Sequence, residues 1–305
     1  MSKERLFYGC RVLVGLFFIV SAVLKFFSID AFELYVFGLE IFSLNVSFFF
    51  VRLLLAFEFS MGVALLSNQY RRLVDFLAYG ILAVFSVFLI VQIANGYSGN
   101  CQCMGDSIDV PPATSLLKNI ILALLLFASS RGCRFSLKYA QWWLPLQAVA
   151  VIAFIFIISP PDTFAQERKM DVHKDGLERF VAQNPQIQQA FKRQPTVMLC
   201  LFSTTCHVCQ FSAKKMQLLA DKYKVPHDCI FELFVGSDVQ RRKFYTKSHS
   251  QQYPFVLLSP EAFWSMTRAV PVFVIYRNGK MTDQFSYRTL SEERIKGLVS
   301  ASPRK

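Results

Sequence analysis

The sequence predicts an α-helical multi-pass membrane bundle followed by an α/β domain. The chain has 305 residues, of which 53% are hydrophobic and 32 are Phe, and this is too apolar for one ordinary soluble domain. The apolar excess lies in the first half. From about residue 165 onward, short strand-like and helix-like patterns alternate as in an α/β domain. We therefore predict a membrane domain at 1–160, a linker at 161–170 and an α/β domain at 171–305.

Several apolar segments approach the ~20 residues that a helix needs to cross a membrane. They cover residues 8–27, 46–67, 73–94, 116–129 and 142–158. The fourth is short, so we expect four to five spans. Segment 29–42 is also apolar, but Glu33 and Glu40 lie seven residues apart and would share one helical face. That spacing suggests an interfacial or re-entrant helix.

Basic residues in the short loops predict the orientation of the bundle. They form three clusters that mark the cytoplasmic side, namely Lys3, Arg5 and Arg11, then Arg71 and Arg72, then Arg131, Arg134 and Lys138. With five spans, the N-terminus is cytoplasmic and the α/β domain is periplasmic or otherwise extracytoplasmic. The chain is thus expected in the cell (inner) membrane, with the lipid bilayer as one partner. The outer compartment is oxidising, which suits disulfide chemistry.

Charged residues and cysteines within the spans have competing interpretations. Glu58 lies in the middle of an apolar span, so it is expected to face the bundle interior and either relay protons or satisfy a polar partner. Arg52 is nearer the outer end and is expected to snorkel to the interface. Cys10 and Cys133 either relay reducing equivalents across the membrane or act as small buried apolar groups. The net charge is +12, but no recognition helix or zinc spacing accompanies it, so no nucleic acid is expected.

A loop between the third and fourth spans contains Cys101-Gln102-Cys103 between two glycines. Cysteines one residue apart could form a strained, readily exchanged disulfide or each accept a mixed disulfide. A soft Cu(I) site with Met104 and inert thiols are the other interpretations. The loop position argues against inert burial and the lack of nearby His argues against copper. The pattern therefore favours redox exchange and no metal.

The membrane half resembles a known family in motifs spread over about residues 5–130. The matching positions are Arg11, Gly15, Leu16, Phe18 and Lys25 in the first span, Glu58 in the second, Cys101-x-Cys103-Met104-Gly105 in the loop, and Lys118-Asn119 in the fourth span. This arrangement resembles the MauE/DoxX-like redox-associated membrane proteins, which include the methylamine utilisation protein MauE. The resemblance implies disulfide handling and four spans, so a fifth would carry the second domain outward.

A second cysteine pair, Cys206 and Cys209, follows the apolar run 197–202 and opens a helix. Helix N-terminal amides lower the pKa of a thiol, and the second cysteine can resolve a mixed disulfide. Zinc sites use the same spacing, but no second ligand pair is present. His207, when protonated, would stabilise the Cys206 thiolate; otherwise it is only an exposed residue at the helix start.

The elements around this second pair include predicted strands at 197–202, 230–235, 255–258 and 270–276 and helices at 175–191 and 260–268. Their order, with the cysteines at a strand-to-helix junction and Val270-Pro271 before a hairpin, resembles a thioredoxin-fold domain over residues 170–302. The resemblance implies a cis peptide at Pro271 and a role for Val270 in aligning a partner's chain. His207-Val208 replaces the usual Gly-Pro, so the family's redox potential does not carry over.

These patterns predict a membrane-bound thiol:disulfide oxidoreductase. Cys206 would attack, Cys209 would resolve, and Cys101/Cys103 would exchange with that pair on the extracytoplasmic side. Thiol/disulfide proteins of that compartment are the expected partners. No cofactor is required; a quinone is one candidate for regenerating the membrane pair, although no motif supports it. The alternative is a MauE-like maturation or assembly factor whose second domain captures a client, and Glu58 alone would support a transporter.

Overall fold

A computed structural model describes residues 2–106, 109–130, 140–165, 170 and 172–300. The chain divides into two compact units, Met1–Pro161 and Asp162–Lys305, which are described separately below. Cys133 and the basic cluster of Arg131, Arg134 and Lys138 lie outside the described residues. The predicted relay between Cys10 and Cys133 therefore stays a prediction.

The first unit consists of helices. They are α1 (Ser2–Phe27), α2 (Ile29–Gly38), α3 (Leu44–Ser67), α4 (Arg71–Ala94), α5 (Pro112–Ser130) and α6 (Ala140–Ile158). Within the described ranges, α1, α3, α4 and α5 contain stretches long and apolar enough to cross a membrane, whereas the apolar part of α6, Trp142–Ile158, is shorter. The predicted multi-pass bundle is confirmed.

Two expectations about the second and third helices were wrong. Helix α2 ends at Gly38, and Glu40 follows it with a positive φ of 59°, so Glu33 and Glu40 do not share a helical face. Arg52 does not snorkel, because its guanidinium is buried and donates to Glu33, to the Phe48 carbonyl at 2.8 Å and to the Ser159 carbonyl at 2.7 Å. A carboxylate and carbonyl oxygens within the protein replace the water that snorkelling would have reached.

Helices α1 and α3 approach closely where two glycines face each other. A Cβ atom on Gly62 would lie 2.7 Å from the Gly15 carbonyl oxygen, and one on Gly15 would lie 2.9 Å from the Gly62 oxygen. Glycines permit such close backbone packing between membrane helices. The approach allows Lys25 of α1 to reach Glu58 of α3, so the crossing positions a buried ion pair.

The described residues of the second unit form a mixed five-stranded sheet. Its strands are β1 (Thr196–Ser203), β2 (Ile230–Val235), β3 (Phe255–Leu258), β4 (Val272–Arg277) and β5 (Lys280–Phe285), in the order β3-β2-β1-β4-β5. Strands β1, β2 and β3 are parallel, whereas β4 and β5 are antiparallel to their neighbours. Because β1 is central, side chains on both of its faces are buried, which explains its continuous apolar sequence.

The described residues also form α-helices around this sheet. They are α7 (Lys174–Gln183), α8 (Pro185–Arg193), α9 (His207–Lys222), α10 (Asp238–Ser248), α11 (Pro260–Trp264) and α12 (Glu292–Ser300). The β1-α9-β2 unit followed by β4-β5-α12 is the arrangement of a thioredoxin-like fold, and the predicted fold class is confirmed. The helix predicted at 175–191 is two helices, because Asn184 caps α8 and Pro185 is its first residue. The helix predicted at 260–268 ends earlier, at Trp264.

Candidate functional site: two dithiol centres

The dithiol of the second unit, Cys206 and Cys209, lies where β1 passes into α9. Cys206 is the N-cap of α9, and its sulfur accepts a hydrogen bond from the Cys209 backbone N–H at 3.2 Å. Cys206 is partly exposed, whereas Cys209 is fully buried. The helix therefore presents one thiol to a partner and keeps the other behind it.

Hydrogen bonding and burial shift the pKa values of these two thiols in opposite directions. The Cys209 thiol and the amides of Cys209 and Val208 donate to the Cys206 sulfur and lower the pKa of Cys206 to about 6, although partial burial opposes this. Burial, and then the hydrogen bond to the Cys206 thiolate, raise the pKa of Cys209 far above its usual value. Cys206 is thus suited to nucleophilic attack at neutral pH, and Cys209 to resolution after a partner docks.

Two further predicted residues, Val270 and Pro271, directly precede strand β4. The Val270–Pro271 peptide bond is cis, as the thioredoxin resemblance implies. Leu201 pairs with Val272 in the antiparallel register of β1 and β4, so Val270 and Pro271 flank the end of β1 that leads to Cys206. On α9, the exposed His207 ring meets Phe211 edge-on, with ring centroids 4.5 Å apart. The roles of His207 and Val270 stay predictions.

The dithiol of the membrane unit, Cys101 and Cys103, lies in the loop between α4 and α5. Cys101 donates its backbone N–H to the Val110 carbonyl at 3.1 Å, and its sulfur lies 3.0 Å from the hydroxyl of Ser115, in the first turns of α5. Gln102 between the cysteines has a positive φ of 56°, and Asn100 accepts from its backbone N–H at 2.9 Å. These contacts hold the loop in a compact turn.

A glycine seats the same loop against the end of α1. Gly105 has a φ of +75°, and a Cβ there would meet the Ser28 hydroxyl at 2.5 Å and the Leu24 carbonyl oxygen at 2.9 Å. The next residue, Asp106, donates its backbone N–H to the Ser28 hydroxyl at 3.0 Å. The loop is consequently attached to α5 on one side and to α1 on the other.

The membrane cysteines are buried, contrary to the expectation of an exposed loop. Cys101 is 2% exposed and Cys103 6% exposed. The reason is packing: Leu89 of α4 and Leu116 of α5 cover the sulfurs. Burial alone does not make these thiols inert, since polar groups contact them as well.

The pKa values of the two membrane thiols are also shifted in opposite directions, like those of Cys206 and Cys209. The Cys103 thiol donates to the Cys101 sulfur, and together with Ser115 and the positive charge of Lys118 it lowers the pKa of Cys101 to about 6 against the opposing effect of burial. The same hydrogen bond, and then burial, raise the pKa of Cys103 far above its usual value. Cys101 is the thiol prepared to act as nucleophile or leaving group.

A buried ion pair lies beneath this loop. The Lys25 ammonium contacts both Glu58 oxygens at 2.7 and 2.8 Å. The Ser21 hydroxyl bridges the pair to the loop, at 3.3 Å from Glu58 Oε1 and 3.1 Å from the Cys103 carbonyl oxygen. Glu58 therefore has the polar partners that one interpretation of the sequence required. One of them, Ser21, also contacts the Cys103 backbone.

A small cavity of about 30 Å³ separates the ion pair from α5. Lys25, Glu58, Cys103, Lys118 and Asn119 all contribute to its walls. Sequence reasoning named Lys25 only as one position of the family resemblance, and it missed the contributions of Ser21 and Ser115, which are ordinary residues in an apolar segment. Among the described ranges, no group of three or more His, Cys, Asp or Glu side chains is arranged to hold a metal ion.

Comparisons with known proteins match the two units in turn. The sequence model of the methylamine utilisation protein MauE matches residues 3–130. The chain is also 25% identical over 312 residues to Protein TlpB of Flavobacterium psychrophilum, covering 85% of this chain and 84% of that protein. The similarity to this relative therefore extends across both units.

Two solved structures are similar to the second unit. One is a secreted disulfide oxidoreductase of Mycobacterium tuberculosis described as homologous to E. coli DsbE, at 18% identity over 36% of this chain and 84% of that chain, with a TM-score of 0.29. The other is the thioredoxin domain of a thiol-disulfide oxidoreductase of Bacteroides vulgatus, at 14% identity over 37% and 81%, with a TM-score of 0.29. The chain is thus a membrane protein that matches MauE in its first half and has a thioredoxin-like domain in its second.

Proposed function

We propose that this chain is a membrane-bound thiol:disulfide oxidoreductase that passes electrons between Cys101/Cys103 and Cys206/Cys209 on the extracytoplasmic side. One observation carries the proposal. In each pair, one sulfur lies within hydrogen-bonding distance of a polar group, Cys206 of the Cys209 amide and Cys101 of the Ser115 hydroxyl, and the other cysteine is buried. These contacts lower the pKa of the first thiol, whereas the pKa of the second is raised. This is the division of labour that thiol–disulfide exchange requires, with one sulfur to attack or leave and another to resolve.

Contacts at the two ends of the bundle support a common side for the two pairs. At one end, Arg11 donates to the Leu65 carbonyl and Arg71 to the Ser129 carbonyl, so one residue of each of the first two basic clusters lies there. The Cys101 loop packs at the opposite end, where α1 finishes. Ser159, near the end of the first unit, accepts from Arg52 in the starting half of α3, which lies toward the loop end. By the positive-inside rule, that end faces outward.

Exchange proceeds by two displacements with no external oxidant. When the membrane pair is a disulfide, the Cys206 thiolate attacks the Cys103 sulfur, a Cys206–Cys103 bond forms, and Cys101 leaves as a thiolate. Cys209 then loses its proton and attacks Cys206, which releases Cys103; Cys103 takes up a proton. One disulfide is lost and one is gained. Cys101 is the better leaving group because its pKa is the lower of the two.

Replacing the membrane pair tests the proposal in cells. In a Cys101→Ser/Cys103→Ser variant, the Cys206/Cys209 pair should accumulate in one redox state, whereas the parent chain should show both states. Acid quenching followed by a mass-tagged maleimide reads this state on a gel. Cys10→Ala removes a thiol from the other end of α1 and serves as the matched control. An unchanged labelling pattern in the double variant would sink the proposal.

The match to MauE keeps an assembly factor as a second candidate. In that case, the thioredoxin-like domain would hold one client rather than turn over many. A Cys209→Ala variant cannot resolve its mixed disulfides, so Cys206 retains its partners covalently. Many trapped proteins would favour the oxidoreductase, and a single dominant one would favour the assembly factor.

A further inference from the structure

An apolar groove of about 430 Å³ runs along the lipid-facing side of the first unit, between α2, α3 and α4. This volume is within the usual range for small-molecule sites, about 300–1,000 Å³. Phe and other apolar side chains form nearly all of its walls, and Cys101 forms part of one end although it is buried. An apolar site open to the bilayer thus reaches one sulfur of the membrane dithiol.

The groove is long and narrow along α4. Phe76, Gly80, Val84 and Phe88 contribute to it at intervals of four residues, which places them on one face of the helix. At a rise of about 1.5 Å per residue, this face extends for about 18 Å. Gly80 leaves the groove open midway, since a Cβ there would meet nothing within 4 Å. The shape suits a molecule with a compact head and an apolar tail.

The Cys101 end of the groove also offers a hydrogen-bond donor. Tyr35 is a wall residue, and its oxygen accepts from Gln92 Nε2 at 2.5 Å. The phenolic proton of Tyr35 is therefore available for an acceptor on a ligand. The Oε1 atom of Gln92 is buried and has no hydrogen-bond partner among the described residues. Together they provide a polar group and a redox-active sulfur at one end of an otherwise apolar site.

We propose that the groove binds an isoprenoid quinone, with its ring at the Cys101 end and its tail along α4, and that this quinone oxidises Cys101/Cys103. The inference rests on the proposed function, in which the membrane pair needs a partner that restores its disulfide. A phospholipid acyl chain would fill the same volume, and its ester carbonyl could also accept from Tyr35, but it accepts no electrons. The redox pair at one end of the groove therefore favours the quinone.

The reaction balances without another oxidant. The Cys101 thiolate and the Cys103 thiol form a disulfide and give up two electrons and one proton. The quinone accepts both electrons, that proton and one from water to become a quinol. The oxidised membrane pair then accepts electrons from Cys206/Cys209, so electrons flow from the thioredoxin-like domain into the bilayer.

The test uses the full chain carrying Cys206→Ser/Cys209→Ser, so that the membrane pair alone reports. The protein is reduced and placed in quinone-free phospholipid vesicles without oxygen, and decylubiquinone or menaquinone-4 is added. Maleimide gel shift follows loss of the Cys101/Cys103 thiols, and absorbance follows quinol. We expect one quinol for each disulfide. Lack of oxidation by both quinones would overturn the inference and indicate that the groove holds only lipid.

Two substitutions locate the reaction in the groove. Gly80→Phe should fill it and slow oxidation at least tenfold, whereas Gly9→Phe on α1, where a Cβ also meets nothing within 4 Å, should leave the rate unchanged. Tyr35→Phe should slow oxidation by removing the donor alone. Equal rates for Gly80→Phe and Gly9→Phe would place the quinone elsewhere and contradict the proposal.

Exchange between the two dithiols is measured separately, in the chain with all four cysteines and without quinone. Exchange without quinone oxidation defeats only this inference. Quinone oxidation without exchange defeats the proposed function. Retained exchange in Gly80→Phe also shows that this variant is folded.

Discussion

The two dithiols reach a similar acidity by different means. In the second unit, the start of a helix supplies the donors to Cys206, and the sulfur is partly exposed. In the membrane unit, a serine hydroxyl and a lysine charge supplement the cysteine partner of Cys101, and both sulfurs are buried. The pKa of a thiol and its exposure are thus set independently. In the membrane pair, the pKa of one thiol is lowered although both sulfurs are buried.

The largest expected difference concerns a buried ion pair in the first unit and an exposed one in the second. Lys25→Met leaves the buried Glu58 carboxylate without its cation, and breaking such a pair costs about 3–5 kcal/mol. Lys174→Met breaks an exposed pair with Glu178 in the second unit and should cost at most about 0.5 kcal/mol. Thermal unfolding of the purified chains in detergent compares them. A Lys25→Met/Glu58→Met variant should regain most of the loss, and equal melting of the two lysine variants would contradict the buried pair.

The next largest difference should be in how accessible Cys101 and Cys206 are to a thiol reagent. At neutral pH, a charged maleimide should modify Cys101 roughly 100-fold more slowly than Cys206, because a local opening of about 3 kcal/mol must come first. Peptide mass spectrometry of the reduced chain measures both rates. Denaturation in dodecyl sulfate should abolish the difference. Similar rates in the folded chain would mean that the loop opens freely.

The pH dependence of Cys206 should reveal its thiolate. Because the pKa is lowered to about 6, alkylation by iodoacetamide should rise with a midpoint near that value. A lowered pKa also stabilises the folded state above the unfolded pKa, which is about 8.5 for Cys. That contribution decreases as pH falls from this range through the folded pKa. Relative to Cys206→Ser, the reduced protein should therefore gain stability as pH rises across this interval; parallel stability curves would contradict the assignment.

The smallest effect concerns the hydroxyl beside Cys101. Ser115→Ala removes a contact of 3.0 Å and should raise the pKa of Cys101. The rate of Cys101 oxidation at neutral pH should then fall by a few-fold. Ser129→Ala is the matched control, since this serine is also buried on α5 but lies at its other end and donates to the Leu126 carbonyl. A stopped-flow pH profile that is the same for both variants would exclude the hydroxyl as a cause.

Sequence patterns were sufficient where a local rule decides the outcome. The apolar spans, the strands, the helix opening after Cys206 and the cis peptide at Pro271 all follow from such rules or from resemblance. Pairings between distant residues did not follow. Lys25 and Glu58 are 33 positions apart, and only the close crossing of α1 and α3 shows that they meet. Burial of Cys101 was missed because a Gly-rich loop normally lies at the surface.

The attachment of the Cys101 loop to both α1 and α5 has a mechanical consequence. A protein partner, which is too large to enter the groove, can reach the sulfurs only when these two helices separate or the loop lifts from them. Both movements work against the lateral pressure of the surrounding lipid. Acyl-chain length and headgroup size should therefore alter how fast the pair exchanges with a partner, although no residue changes; rates measured in vesicles of short and long phospholipids would reveal this sensitivity.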